Sequence, residues 1–277
     1  MHSEIIEAVH HALAEDIGSG DVTSQACVPA DRRASGYFLA RHSLVLAGVD
    51  LLALIYEARG GVQEIVVLRK DGDYLEEGER IATVRGPART LLECERVALN
   101  FLQRLSGVAT LAHKFASLVE GTKCRVLDTR KTTPGLRRLE KAAAAAGGVT
   151  NHRMGLFDAI LIKNNHIVAA GGIRQAIERA RGTLEPGLPI EIEVRAIDEL
   201  NDALASGATH LLLDNLSPQQ AAEWVRIIDG RATVELSGGI DLDSVRSYAE
   251  TGADFVSVGA ITHSAPAVDI SFRLDLL

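Results

Sequence analysis

Aromatic residues are scarce in this chain of 277 residues, at 4%, with a single tryptophan. A nucleic-acid binder needs a long basic stripe with interleaved aromatics, and that pattern is missing, so nucleic acid is not an expected partner. Cysteine is scarce as well. Cys27, Cys94 and Cys124 lie far apart without paired spacing, which argues against both a disulfide framework and a zinc site. No hydrophobic run approaches a membrane span: the most apolar window, Leu44 to Tyr56, is too short and contains Asp50. The amino-terminal stretch MHSEIIEAVHHALAED carries acids among its apolar residues, unlike a signal or transit peptide. These absences point to a soluble, cytoplasmic protein with neither a nucleic-acid nor a membrane partner.

The hydrophobic content of 47% is enough for one large core or a large and a small one, and 25 glycines suit a fold with many tight strand-to-helix connections. Charge is unevenly spread. The chain carries a formal −8, yet Arg130 to His166 holds seven of the 29 basic residues and only two of the 37 acidic ones. A cationic pocket in an acidic protein implies an anionic ligand, and such local gathering favours a small polyanion.

From about residue 122 onward, short apolar runs alternate with helical patterns. The runs are Cys124 to Leu127, Ala159 to Ile162, Ile190 to Val194, His210 to Leu213, Thr233 to Leu236 and Asp254 to Val258. This is the texture of βα units around a parallel sheet, which could be a barrel or an open doubly wound sheet. Polar residues decide for a barrel. Thr129 and Arg130, Lys163, Glu193, Asp214, Ser237-Gly238-Gly239 and Gly259 stand at six successive strand ends, which suits one ring of loops at a barrel's carboxyl face better than a single switch point. The first 120 residues read as an α+β domain with a helical linker, and KDGDYLEEGERIATVRG reads as a hairpin.

Each constellation carries a chemical reading and a plainer one. Arg130 and Lys131 follow a strand and precede a helix start near Leu136, making an anion site rather than a solvated basic loop. Arg153, beside His152 in a glycine-rich connection, can grip a carboxylate with two parallel hydrogen bonds. Lys163 is either a Schiff-base nucleophile or a cationic ligand. Glu193 and Asp214 end successive strands and could hold Mg²⁺ near a polyphosphate or merely balance the nearby cations; Glu191 shares a side of its strand with Glu193. Ser237, Gly238 and Gly239 before a helix near Asp241, with Gly259 and His263 after the last strand, suit a phosphate monoester; tight turns alone do not explain why they fall at the final two strands.

The segments ALAEDIGSGDVTS, ERVALNFLQRLSGVAT, DTRKTTPGLR, NHRMGL, LIKNNHI, EIEV, LLLDN, ELSGGI and VSVGAITHSAPAVDIS, in this order along nearly the whole chain, resemble the quinolinate phosphoribosyltransferases. Asn164 and Leu236 depart from the family's pattern. The resemblance implies a TIM-like α/β barrel domain over residues 109–268 and an N-terminal α+β sandwich domain over 1–108, with the tail 269–277 packing back on the latter. It implies transfer of phosphoribosyl from 5-phosphoribosyl 1-pyrophosphate to quinolinate, with decarboxylation and Mg²⁺, in de novo NAD synthesis. It assigns the pyridine carboxylates to Arg130, His152 and Arg153, with Lys163 close by and Arg96 supplied by a second subunit, hence a homodimer or larger homo-oligomer. Lys131, Glu193 and Asp214 fall to the pyrophosphate, ribose and metal, and Ser237, Gly238, Gly239, Gly259 and His263 to the 5-phosphate. The alternatives are a protein of this fold acting on another small carboxylate, a barrel lyase using Lys163 as Schiff base, and a non-catalytic anion-binding module.

Overall fold

The computed structural model describes residues 2–182 and 187–276. Met1, residues 183–186 and Leu277, which fall within the expected domain spans, lie outside the described residues. The amino-terminal helix α1 (Ser3–Ile17) buries Val9 and Leu13, one turn apart on a single face. The short α2 (Val22–Cys27) is capped by Asp21, whose carboxylate accepts the Ser24 N–H at 2.9 Å. Then come β1 (Arg33–Ala40), β2 (Leu44–Val45), α3 (Leu51–Glu57), β3 (Glu64–Val67), β4 (Tyr74–Leu75), β5 (Arg80–Pro87) and the long α4 (Ala88–Leu118). Burial alternates along β1, as it must in a strand with one face on a core. The expected hairpin at KDGDYLEEGERIATVRG does not form. Its first strand, β4, pairs antiparallel with β2, placing the fully buried Leu75 opposite Leu44, while its second, β5, pairs with β1 and β3.

The remaining elements are β6 (Arg125–Leu127), α5 (Arg137–Ala146), β7 (Ile160–Ile162), α6 (Asn164–Ala170), α7 (Ile173–Arg181), β8 (Ile190–Val194), α8 (Ile197–Ala205), β9 (His210–Asp214), α9 (Pro218–Ile228), β10 (Thr233–Ser237), α10 (Val245–Ala249), β11 (Phe255–Ser257), α11 (Ala260–His263) and β12 (Ile270–Leu276). Helix α10 starts four residues later than the expected Asp241. Asp241 and Ser244 close a turn on each other instead, the Ser244 N–H bonding the Asp241 carboxylate at 2.9 Å and the Asp241 N–H bonding Ser244 Oγ at 3.0 Å.

By contact the chain forms two compact units that differ from a single cut after residue 108. The first comprises Met1–His113, Thr132–Gly148 and Ile261–Leu277. Its antiparallel sheet has the order β12-β1-β5-β3, so the carboxyl-terminal strand lies beside the first. Segment 132–148 joins this unit through a buried carboxylate. Glu140 accepts from the Arg104 guanidinium at 2.7 Å and from the Thr133 N–H and hydroxyl at 2.9 and 2.7 Å, so its charge is fully compensated. Gly147 permits the closest approach there: a Cβ at this position would stand 2.3 Å from the Ala109 carbonyl oxygen.

The second unit comprises Lys114–Lys131 and Val149–Ala260. Its parallel sheet has the order β6-β11-β10-β9-β8-β7. Successive strands are neighbours and the last pairs with the first, which is the cyclic order of a barrel. At the remaining seam, among the described residues, Thr150 makes an isolated parallel bridge with Leu127. The inner strands read as continuous buried runs, as parallel strands covered on both faces do. No helix among the described residues is long and apolar enough to cross a membrane.

Candidate active site

The carboxyl ends of the second unit's strands gather most of the singled-out residues. Where β6 ends, Asp128 is fully buried and accepts from Asn151 Nδ2 at 2.7 Å and from the His152 N–H at 2.8 Å. A further bond runs from the Thr150 N–H to the Val126 carbonyl at 2.9 Å. The NHR connection is thereby clamped to the strand end that leads into Arg130 and Lys131.

His152 sits against two carboxylates. Its Nε2 lies 3.4 Å from Glu191 on β8 and 3.4 Å from Glu235 on β10. Burial alone would lower the imidazole's pKa, but the hydrogen bonds and charges of these two glutamates outweigh it and push it up to about 9. In the singly protonated ring Nδ1 accepts the Arg153 N–H at 2.8 Å and the proton lies on Nε2, among the carboxylates; a second proton, on Nδ1, displaces that bond. Burial and the Glu235 charge hold the Glu191 carboxyl above the ordinary range, against the pull of His152. These three side chains could also form a metal ligand set. The Arg153 N–H argues against it, because a metal on Nε2 would require the ring to move its proton to the nitrogen that already accepts a bond.

Arg153 is half-buried, and its Nη1 donates to the Ala159 carbonyl at 3.1 Å. Burial lowers its pKa, and the neighbouring Arg130 guanidinium lowers it further. Two guanidinium groups are thus close enough to repel, beside an imidazole with its own hydrogen-bonding edge. Such a pair fits a ligand carrying two carboxylates.

A second cluster lies one strand over. Glu193, at the end of β8, is 4% exposed; its Oε1 is engaged by Arg195 and its Oε2 lies 3.7 Å from Lys163 Nζ at the end of β7. Asp214 ends the adjacent β9, and its Oδ2 accepts from Asn215 Nδ2 at 2.8 Å and faces Arg195 Nε at 3.5 Å. Two hard oxygen donors at neighbouring strand ends, bridged here by a side-chain cation, suit Mg²⁺ together with substrate phosphate. Lys163 is exposed and faces a carboxylate, and so lacks the desolvated pocket that a Schiff-base lysine needs.

Ser237 is level with Asp214 in the β9–β10 register. Gly238, at φ +106°, leaves room for Asn215: a Cβ there would stand 2.2 Å from Asn215 Oδ1. Asn215 itself is left-handed, at φ 59°, and its N–H bonds the Ser237 carbonyl at 2.8 Å. Gly239 follows at φ 63°, and Gly259 stands after β11 at the start of α11. Lys131 is exposed, with its N–H on Thr129 Oγ1 at 3.1 Å. Arg96 and His263 belong to the first unit. Arg96 is exposed on α4, and His263 is exposed at the end of α11 with Nδ1 2.6 Å from Ser264 Oγ.

Three contributors escaped the sequence reading. Asp128 opens the DTRK run, Glu235 lies two residues before Ser237 on the same face of β10, and Arg195 lies two residues beyond Glu193. Strand alternation was the available signal for the last two.

Known proteins give the same picture over the whole chain. A family model described as the quinolinate phosphoribosyl transferase C-terminal domain matches residues 108–273, and its N-terminal counterpart matches residues 21–106. A nicotinate-nucleotide pyrophosphorylase [carboxylating] of Mycobacterium leprae is 41% identical, with 97% of this chain and 96% of that protein covered. A probable nicotinate-nucleotide pyrophosphorylase [carboxylating] of Bacillus subtilis is 38% identical over 99% of this chain and 95% of that protein. The solved structure of the nicotinate-nucleotide pyrophosphorylase from Francisella tularensis superposes with a TM-score of 0.92 at 40% identity, covering 98% of this chain and 96% of that one. With both domains matched in order and full-length relatives at this level of identity, the chain belongs to the quinolinate phosphoribosyltransferase family.

Proposed function

We propose that this chain transfers the phosphoribosyl group of 5-phosphoribosyl 1-pyrophosphate to quinolinate with loss of CO₂, giving nicotinate mononucleotide and pyrophosphate for de novo NAD synthesis. The observation that carries this reading is the pairing, within one compact unit, of the Arg130–Arg153 cationic cluster with the Glu193–Asp214 carboxylates. The first suits a dicarboxylate and the second a metal-bound polyphosphate.

In this mechanism Arg130, His152 and Arg153 hold the two carboxylates of the pyridine, and Lys163 adds positive charge nearby. The ring nitrogen attacks C1′ of the ribose while the C1′–O bond to pyrophosphate breaks. The sugar gains positive character in that step, which the Glu193 and Asp214 side stabilises, and Lys131 draws off the negative charge of the leaving group. Mg²⁺, held by Glu193 and Asp214 partly through phosphates and water, would supply further charge neutralisation for the pyrophosphate. Pre-placed charges of this kind contribute roughly 10² to 10³ each in rate. Ser237, Gly238, Gly239 and Gly259, with His263, are assigned to the 5-phosphate. The alkylated ring nitrogen is then an electron sink: the adjacent C–CO₂ bond breaks, its electron pair stays on the ring carbon, and a proton takes the place of CO₂.

The working unit is a homodimer or larger assembly in which Arg96 of one copy completes the site of another. Exposed apolar side chains a few residues after Arg153 and Lys163 in the chain, Leu156, Phe157 and Val168, support a covering partner. The compartment is the cytoplasm, which suits three unpaired cysteines. Incubation with quinolinate, phosphoribosyl pyrophosphate and Mg²⁺ should release CO₂ and nicotinate mononucleotide in equal amounts. Turnover of nicotinate with silence on quinolinate overturns the substrate assignment.

A further inference from the structure

The two carboxylates assigned above to the metal already have a cation between them. Arg195 lies two residues beyond Glu193, so the two side chains leave the same side of the chain as it emerges from β8. The register matches Val194 to Leu213, which brings Arg195 level with Asp214 on the adjacent strand. Its Nη2 engages Glu193 Oε1 and its Nε lies 3.5 Å from Asp214 Oδ2, so one planar guanidinium spans both acids. The Arg195 backbone is pinned as well: its N–H donates to Glu199 Oε2 at 2.7 Å, fixing the turn into α8. The side chain nevertheless remains about half exposed, at 49%, and is free on its outer face to swing into solvent. A buried carboxylate such as Glu193 needs a compensating positive group at all times, in the absence of ligand as much as in its presence.

We propose that Arg195 is a resident counter-cation: its guanidinium holds the metal's place between Glu193 and Asp214 in the ligand-free protein and has to leave before a divalent ion binds there. The inference rests on the assignment of these carboxylates to the metal and adds a competitor of known position. Exchange of one cation for another keeps Glu193 compensated throughout, so the strand ends do not have to rearrange. The consequence is a handicap on metal binding to the free protein, lifted when the ion arrives together with its polyphosphate. Lys163, 3.7 Å from the other oxygen of Glu193, does not share this role, because among the ion pairs of the described residues it meets Glu193 and not Asp214.

The test is direct titration of Mn²⁺ onto the free protein, with unbound ion followed by electron paramagnetic resonance. Arg195→Ala should bind Mn²⁺ about tenfold more tightly than the unaltered chain, and Arg195→Lys should fall between them, since a single ammonium cannot bridge two carboxylates in the same way. Asp214→Asn should lose most Mn²⁺ binding, with or without Arg195. Equal or weaker binding by Arg195→Ala, with the Asp214→Asn loss intact, overturns the counter-cation and leaves the metal assignment standing. Mn²⁺ binding that is indifferent to Asp214→Asn overturns both. The phosphoribosyl reading itself stands or falls separately, on CO₂ release.

Discussion

The Asp128 carboxylate accepts the backbone N–H of His152 at 2.8 Å, and so a fully buried acid at the end of β6 fixes the connection that carries both His152 and Arg153. The same carboxylate takes Asn151 Nδ2 at 2.7 Å on its other oxygen. Both of these donors point at an acceptor-only group.

Asp128→Asn replaces one acceptor oxygen by an NH₂ group that then faces a donor. An unsatisfied buried donor costs on the order of 1–3 kcal/mol, and the connection must shift to relieve it. Chemical denaturation should report a loss in that range, and KM for quinolinate should rise more than KM for phosphoribosyl pyrophosphate. An equal rise in both would mean that Asp128 supports the fold generally and not the cationic cluster of Arg130, His152 and Arg153.

Stability should depend on pH through His152. Glu191 and Glu235 push its pKa up to about 9 from an ordinary 6.5, so the folded chain holds a proton that the unfolded chain releases. A raised value stabilises fully below about pH 6.5, and that stabilisation is lost as pH climbs through 9. The Arg153 N–H on Nδ1 opposes protonation of the ring, so the effect is smaller than the shift alone implies, on the order of 1–2 kcal/mol. Denaturation curves collected between pH 6.5 and 9.5 should show this decline, and His152→Gln should flatten it. A variant that keeps the full slope assigns the titration to another group.

Much of this architecture is legible in the amino-acid sequence. The six parallel strands coincide with the apolar runs, from Cys124 to Leu127 through Asp254 to Val258, to within a residue at each end, because a strand buried on both faces leaves a continuous apolar signature. Residues at strand ends were legible for the same reason: Lys163, Glu193 and Asp214 break those runs with charge. What stayed hidden depended on pairings distant in sequence. Strand β4 looks like half of a hairpin until Leu44 is brought opposite Leu75, and the pull of Glu140 on Arg104 ties a segment after Lys131 to the first unit. Glu235 was hidden inside a strand that reads as apolar, since only its meeting with His152 across two strands gives it a role.

Gly238 tests the proposed phosphate side of the site. Its φ of +106° is strained for any other residue, and the added methyl would press on Asn215 Oδ1 at 2.2 Å. Asn215 holds the Asp214 carboxylate at 2.8 Å, so Gly238→Ala should disturb Asp214 as well as the backbone proposed above to hold the 5-phosphate. KM for phosphoribosyl pyrophosphate should rise by at least about tenfold, equivalent to roughly 1.4 kcal/mol, with the quinolinate KM nearly unchanged. Gly239→Ala should be milder, because a Cβ there meets nothing within 4 Å and only the backbone angle is unfavourable.

The assembly can be tested by mixing two inactive proteins. Arg96 is exposed on α4 in one compact unit and Arg153 is half-buried in the other, so Arg96→Ala and Arg153→Ala each remove a guanidinium from a different part of the chain. If Arg96 serves the site of a second copy, then a mixed dimer has one site lacking both groups and one lacking neither. Random exchange of subunits at equal concentration makes half of the dimers mixed, and half of their sites intact, so about a quarter of the unaltered activity should return. The return should require subunit exchange, appearing after mild dissociation and recombination and not on simple mixing of stable dimers. If Arg96 instead served its own chain, each site in the mixed dimer would still lack one group and no activity would return at any ratio.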